Sequence, residues 1–251
     1  MIPAVTLAFL VFTRVAALLM TLPLVGGGAV PALARMALAL PLTVVMLPAA
    51  GTPSLDLSLS GVVGALIMEI LLGAAMGFCA QLAFHVLAMA FEIIGAQAGL
   101  TIGAIIDPIS GQQNAVLATF ATWIATAVFL GADVHLGCIR AVAESFATAP
   151  PGHVAGLAAA GQGLVALAEI CFEGAVQLAG PLTVFVFAVH LGQSLLGRMA
   201  PNIQLFWAIG PVLSVGVGLF VLAAVMPSLI STWFALMPQA LAVMNALPAG
   251  R

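Results

Sequence analysis

Apolar residues run along this chain in segments that are long for the core of a small soluble domain. Stretches of about 18 or more apolar residues indicate membrane helices. The pattern predicts such helices at 4–22, 29–47, 61–98, 114–130, 154–197 and 206–226. A shorter amphipathic helix is expected over 131–148, and 227–238 is expected to lead into a short terminal helix. No β-type alternation persists, so the predicted fold class is all-α.

Two of these segments, 61–98 and 154–197, are too long for one simple crossing of a bilayer. At 1.5 Å per residue, a helix over 61–98 would be about 57 Å long. The hydrocarbon core of a bilayer is only about 30 Å thick. We therefore expect these helices to bend, to tilt strongly or to extend out of the hydrocarbon.

The composition supports a protein embedded in a membrane. Of the 251 residues, 64% are hydrophobic and 5% are charged, whereas a soluble domain is about 25% charged. Lysine is absent, and the only cationic side chains are arginines. The net charge of −3 and the lack of a basic run exclude nucleic acid as a partner, because phosphate binding requires clustered Lys and Arg.

The sequence lacks the common catalytic and metal-binding motifs. It has no HExxH, no GxSxG, and no GxxxxGK[ST] phosphate loop. Its three cysteines, Cys79, Cys138 and Cys171, are far apart and form neither a CxxC site nor a disulfide framework. We interpret them as small buried thiols. The chain is therefore predicted to have no enzyme activity, no catalytic residue, no metal and no cofactor.

Four carboxylates interrupt the apolar helices, at Glu69, Glu92, Glu169 and Glu173. A carboxylate at the centre of a bilayer costs about 2.5–3.5 kcal/mol, so such groups are candidates for function. The preferred interpretation is an interhelix or intersubunit ion pair or hydrogen bond, formed with the few arginines. A proton pathway is the alternative.

The segment 91–108 combines polarity with an abrupt end. It contains Glu92 and Gln97, and it stops at Asp107-Pro108. Glycines recur once per helical turn at Gly95, Gly99 and Gly103, which permits close approach of another backbone. Irregular backbone at membrane depth is tolerated where it packs against protein or lines a cavity. We expect the function to reside here.

Four segments together carry a resemblance to a known family. They are 91–100 with Asp107-Pro108, His135-Leu136, 144–150 with Gly152, and 195–202 followed by Phe206 and Gly210-Pro211. Arg14 and Arg35 also fit. In this order and at this spacing, across essentially the whole chain, they resemble the FliR family of flagellar type III export-gate proteins. They resemble the injectisome SctT family more distantly.

The resemblance implies an architecture and partners. The chain would be one export-gate domain over residues 1–251 and a non-enzymatic subunit of a protein-export pore. It would assemble with FliP-like and FliQ-like subunits in the flagellar basal body of the bacterial inner membrane, near FlhA-like and FlhB-like export components. Unfolded flagellar proteins would be its substrates. Its long helices would pack against these partner subunits as well as lipid.

The resemblance also implies roles for particular residues. The loop near 100–108 is similar to the plug-forming loop of the family, which closes the pore at rest. Ile102 and Ile105 stand where relatives can carry phenylalanine, and Ile106 is adjacent. Roles in turns and packing are expected for the three glycines named above and for Asp107, Pro108, Arg198 and Pro201.

Three other interpretations stay open at this point. The first is an injectisome export subunit of the SctT type. The second is a secondary transporter of small molecules that uses Glu69, Glu92 and Glu169 for ion coupling. The third is an anchoring protein that never contacts a pore.

Overall fold

Long α-helices make up most of the chain. The computed structural model describes residues 2–25, 30–51, 58–97, 116–152, 157–199 and 204–249. The helices in these ranges are α1 (Ile2–Thr21), α2 (Ala32–Met46), α3 (Leu59–Gln97), α4 (Val116–Gly131), α5 (Val134–Thr148), α6 (Leu157–Met199), α7 (Gln204–Phe234) and α8 (Met237–Ala246). Short 3-10 turns follow α2 and α8, at Leu47–Ala50 and Leu247–Ala249. The described ranges contain no strand, so the all-α prediction is confirmed.

The two overlong segments are continuous helices. Helix α3 has 39 residues and α6 has 43, in agreement with the predicted segments 61–98 and 154–197. Helix α6 continues through Pro181. Apolar side chains occupy most of the circumference of α3, so its length and hydrophobicity, rather than a single apolar stripe, identify it.

The end predicted at residue 226 is wrong, because α7 continues through Pro227 to Phe234. A proline inside a helix removes one backbone hydrogen bond, here the bond to the carbonyl of Ala223. Ending the helix there would expose many more backbone groups within an apolar stretch. Continuing α7 through Pro227 therefore costs less free energy than ending it there.

The amphipathic helix predicted from residue 131 begins later. Helices α4 and α5 meet at a bend of 63°. Asp133 lies between them with φ +56°, a left-handed conformation that Asp adopts more readily than most residues. Its carbonyl oxygen accepts hydrogen bonds from the N–H groups of Leu136 and Gly137, at 3.0 and 3.3 Å. This residue therefore starts a new helix.

Several helices have the length and apolarity to cross a membrane. In the described part of the chain, five spans meet both conditions: Ala4–Thr21, Ala32–Ala50, Ser60–Gln97, Gly161–Met199 and Ser214–Ala249. The bent pair α4 and α5 would be a sixth if it counts as one broken span. The protein therefore has the helices of a membrane-embedded chain, as its composition predicts.

The chain divides into two compact units. The first unit comprises Met1–Phe84, Val128–Cys171 and Leu236–Arg251, and the second comprises His85–Ala127 and Phe172–Ala235. The core of the first unit includes the buried side chains of Leu10, Leu19, Met76, Phe129, Phe146 and Met244. The core of the second includes those of Leu87, Phe91, Ile94 and Trp233. That the whole chain acts as one export-gate domain stays a prediction.

Candidate functional site

Two glycines of α3 bring this helix very close to α1 in the first unit. A Cβ atom at Gly73 would overlap the backbone carbonyl oxygen of Arg14 and lie 3.0 Å from the Cβ of Ala17. A Cβ atom at Gly77 would overlap the hydroxyl of Thr21 and lie 2.8 Å from the carbonyl oxygen of Leu18. These residues form the small-xxx-small contact that membrane helices use for close packing.

The same contacts show that α1 and α3 run parallel at this point. Gly73 meets Arg14 and Ala17, and Gly77, one turn later, meets Leu18 and Thr21. Glu69 precedes Gly73 by four residues and therefore lies on the same face of α3. The glycine contact thus directs the carboxylate of Glu69 towards α1.

Arg14 and Glu69 form a buried two-point ion pair. The Nε of Arg14 donates to Oε2 of Glu69 at 2.5 Å, and its Nη2 donates to Oε1 at 3.0 Å. Only 1% of the arginine side chain and 2% of the glutamate side chain are exposed. A planar guanidinium matches the two carboxylate oxygens, so this arrangement fixes direction as well as distance.

The end of α5 provides the remaining contacts of Arg14. Nη1 donates to the hydroxyl of Ser145 at 2.9 Å, and Nη2 also donates to the carbonyl oxygen of Ala149 at 3.0 Å. The ring centroid of Phe146 lies 4.4 Å from the guanidinium carbon, within the range of a cation–π contact. The negative end of a helix macrodipole also favours a cation.

A turn after α5 completes the surroundings of Glu69. The backbone N–H of Gly152 donates to Oε1 of Glu69 at 3.0 Å. Gly152 has φ +87°, a conformation that glycine adopts without the steric cost of a Cβ. The residues from Pro150 to Gly152 therefore form a turn that directs a backbone donor at the carboxylate. We call Arg14, Glu69, Ser145, Phe146, Ala149 and Gly152 the polar centre.

The polar centre is a closed structural joint. Arg14 uses four of the five donors of a guanidinium, and Glu69 accepts three hydrogen bonds. Both charges are compensated inside the protein. This arrangement favours the ion-pair interpretation of Glu69 over a proton pathway. It joins α1, α3 and the end of α5 at one point.

The other three predicted carboxylates have different surroundings. Glu92 is exposed on α3, and Glu169 and Glu173 are exposed on α6. Glu173 accepts a hydrogen bond from the side-chain amide of Gln177 at 2.8 Å, within the same helix. These carboxylates therefore lie on helix surfaces, unlike the buried carboxylate of Glu69.

The predicted turn and packing residues are placed only in part. Gly95 packs against the side chain of Leu117 in the second unit. A Cβ atom built on Gly95 would lie 3.5 Å from Cδ1 of Leu117. Arg198 is exposed in the last turn of α6. The remaining predicted positions lie outside the described residues: Gly99, Ile102, Gly103, Ile105, Ile106, Asp107, Pro108 and Pro201.

Sequence reasoning did not assign roles to Ser145, Phe146 and Ala149. The segment 144–150 was part of the family resemblance, but no partner could be given for it. One signal was available: Arg14 is a lone charge within the first apolar helix, and such a charge requires acceptors from elsewhere in the chain. The three cysteines are free and buried, and the described residues contain no group of metal-ligating side chains.

Comparison with known proteins identifies the family. Residues 5–240 match the family described as bacterial export proteins, family 1. The chain is 32% identical over 214 residues to the flagellar biosynthetic protein FliR of Escherichia coli K12, covering 85% of this chain and 82% of that protein. It is 31% identical over 231 residues to the FliR of Caulobacter vibrioides, covering 91% and 92%.

A more divergent relative shows the same coverage. The FliR of Bacillus subtilis is 26% identical over 223 residues, covering 86% of this chain and 85% of that protein. The match begins within α1 and ends in the first turn of α8, so it includes every helix of the polar centre. The resemblance deduced from the four sequence segments is thereby confirmed, and the chain belongs to the FliR family of bacterial export proteins.

Proposed function

We propose that this chain is a non-enzymatic subunit of a flagellar type III export gate in the bacterial inner membrane. With FliP-like and FliQ-like subunits it would form the conduit through which unfolded flagellar proteins leave the cell. FlhA-like and FlhB-like components would lie next to it in the basal body. The observation that carries this proposal is the match to flagellar biosynthetic proteins over nearly the whole chain.

The exposed carboxylates support contact with partner subunits. Glu92, Glu169 and Glu173 lie on the surfaces of α3 and α6, two helices apolar enough to cross a membrane. Acyl chains cannot solvate a carboxylate, whereas a protein partner with hydrogen-bond donors or a water-filled conduit can. Membrane-depth helices with exposed acids therefore suit a subunit that is covered by other proteins.

The same observations bear on the other interpretations. The relatives described above have flagellar names, which favours a flagellar gate over an injectisome. A secondary transporter would use Glu69, Glu92 and Glu169 for ion coupling, and the first of these carboxylates is held by Arg14 and Gly152 instead. The proposal therefore uses Glu69 for structure and the exposed acids for assembly.

Deletion and complementation test the proposal. We expect a strain without the gene to stop secreting flagellar proteins and to lose its flagella. A plasmid copy should restore both properties, and a copy with Val5→Ala, at an exposed position, should do so equally well. Normal secretion in the deletion strain would refute the proposal. So would a chain that purifies alone, without other gate subunits, from membranes that support export.

The segment 100–108 is proposed as the plug of the gate. This proposal rests on the sequence, because the segment lies outside the described residues. Ile102, Ile105 and Ile106 are apolar, and apolar side chains close a pore by excluding water and ions without holding a particular substrate. Contact with a passing substrate would also exclude a purely anchoring role.

Leak and crosslinking measurements test the plug. Replacing Ile102, Ile105 and Ile106 by glycine should make reconstituted gates conduct small ions, whereas replacing all three by valine should keep them closed. A photocrosslinker at position 105 should capture a stalled export substrate. Unchanged conductance in the glycine variant would contradict the plug role. Absence of crosslinks in a gate that exports normally would favour the anchoring interpretation.

A further inference from the structure

We propose that the acyl chains of the bilayer cover the outer side of α2, which comprises the exposed residues from 32 to 49. This inference rests on the proposed place of the chain in an export gate of the membrane. It goes further by naming a surface that contacts lipid rather than another subunit.

The length of α2 matches the thickness of a bilayer. Helix α2 and the 3-10 turn after it form a span of 19 residues, Ala32–Ala50, which is about 30 Å long at 1.5–2.0 Å per residue. The hydrocarbon core is also about 30 Å thick. The spans in α3 and α6 have 38 and 39 residues, and each is nearly twice as long as that thickness. Helix α2 therefore fits within lipid from end to end, whereas α3 and α6 do not.

No exposed position of α2 has a polar side chain. Every exposed residue from 32 to 50 is Ala, Leu, Met, Pro or Val. The most exposed of the larger side chains are those of Leu33, Leu40, Val44 and Val45, at 83, 59, 72 and 75%. The surfaces of α3 and α6 differ in this respect, since each exposes carboxylates. A surface without carboxylates avoids the cost of placing charge in hydrocarbon.

The two polar side chains of α2 are bound within the chain. The hydroxyl of Thr43 is buried and donates to the carbonyl oxygen of Ala39 at 2.7 Å. The Nε of Arg35 donates to the carbonyl oxygen of Val30 at 2.9 Å, and its Nη1 lies 3.5 Å from Sδ of Met20. Arg35 belongs to the first turn of α2, and a long cationic side chain near a helix end can direct its charge towards the headgroups. Both side chains are thus compatible with lipid around α2.

The distribution of small residues favours lipid over a partner helix. Helices that associate within a membrane place small residues at their interface, because these permit close approach of the backbones. Helix α2 packs against α1, and its buried side has Ala39 and Thr43, followed by Ala50 in the 3-10 turn. The exposed residues from 38 to 48 are Leu, Pro and Val. The side of α2 suited to close packing is therefore already used within the chain.

Spin labels distinguish lipid, protein and water on the outer side of α2. Nitroxides are placed at Leu40→Cys and Val44→Cys, near the middle of the span. The matched control is Val176→Cys, at an exposed valine of α6 that shares a helix face with Glu173, three residues earlier. The three native cysteines are buried, and an unsubstituted sample measures their background.

The labelled gate is reconstituted with its bound subunits in vesicles of phosphatidylethanolamine and phosphatidylglycerol. Power saturation measures how often each label collides with oxygen, which concentrates among acyl chains, and with a nickel chelate that stays in water. Val45→Cys replaces either α2 variant if that variant fails to accumulate.

We expect the two labels on α2 to collide with oxygen several times more often than the label at position 176, and rarely with the nickel chelate. The label at 176 should collide little with oxygen, because a carboxylate on its face requires protein or water as cover. A label at Leu33→Cys, near one end of the span, should collide less with oxygen than the label at position 40, because it lies closer to the headgroups.

Three results would overturn the inference. Rare collision with both reagents at positions 40 and 44 would mean that another subunit covers α2. Frequent collision with the nickel chelate there would mean that water does. Equal oxygen collision at positions 44 and 176 would mean that polarity does not separate these surfaces. The proposed function has its own readout: if immunoblots of the sample find no other gate subunit, that function is refuted, while the labels on α2 still report whether lipid covers them.

Discussion

Glu69 and Glu173 are the same residue type in two long apolar helices, and they have opposite surroundings. Glu69 is 2% exposed and is bound by Arg14 and Gly152. Glu173 is exposed and is bound by Gln177 of its own helix. A carboxylate within an apolar helix can therefore bind groups inside its own chain, or it can lie on a surface that another molecule covers.

The comparison separates two kinds of evidence for function. The buried acid comes with a complete set of partners, so its role can be deduced from this chain alone. The exposed acid has a local hydrogen bond that an amide would satisfy equally well. The free energy needed to place this carboxylate in lipid is high, so its presence is explained by a molecule outside the chain that covers it. Substitutions at these positions should therefore affect different properties.

The largest effect is expected at Glu69. Glu69→Ala removes one partner of a buried pair and leaves the guanidinium of Arg14 uncompensated, which costs about 3–5 kcal/mol. We expect most of the chain to be lost from membranes, measured by quantitative immunoblotting against Glu173→Ala as the control. Equal amounts of the two variants would show that burial does not separate these carboxylates.

A smaller effect, with a sign that depends on position, is expected at the glycines of α3. A Cβ at Gly73 overlaps the Arg14 carbonyl, whereas a Cβ at Gly64 has nothing within 4 Å. Gly73→Ala should destabilise by about 1–3 kcal/mol, and Gly64→Ala should stabilise by up to about 1 kcal/mol because alanine favours helices. Thermal unfolding of the detergent-solubilised chain measures both.

The pair of alanine variants sharpens the comparison in a second way. Stabilisation of both variants would mean that helix propensity, and not the contact with α1, governs this face. In that case the glycines would not be what brings Glu69 to Arg14, and the polar centre would need another explanation.

The helices could be predicted from the sequence, because a long apolar segment has few alternatives to a membrane helix. The 39 residues of α3 and the 43 of α6 stood out by length and apolarity. The continuation of α7 through Pro227 was missed, because a proline signals a break locally. The cost of ending a helix inside an apolar stretch depends on surroundings that a local pattern does not contain.

Only parts of the polar centre could be predicted from the sequence. Arg14 and Glu69 each stood out as a charge in an apolar helix, yet they are 55 residues apart. Ser145 and Gly152 contribute a hydroxyl and a backbone N–H. Both belong to the segments that carry the family resemblance, but hydroxyls and backbone groups occur throughout the chain, so the sequence gives neither of them a partner. Their pairing follows from the close contact of α1 and α3 and from the turn after α5.

The smallest effect on stability is expected at Glu173. The same substitution gives the most information about partner subunits. Glu173→Gln should leave the thermal unfolding of the isolated chain unchanged within about 0.5 kcal/mol, since an amide oxygen can still accept the hydrogen bond of Gln177. Copurification with FliP-like and FliQ-like subunits should fall, because a partner donor would lose a charged acceptor. Ser231→Ala, at an exposed hydroxyl bonded to its own helix, is the control. Undiminished copurification would mean that the exposed acid of α6 faces water, and the contrast with Glu69 would then be one of solvent rather than of partner.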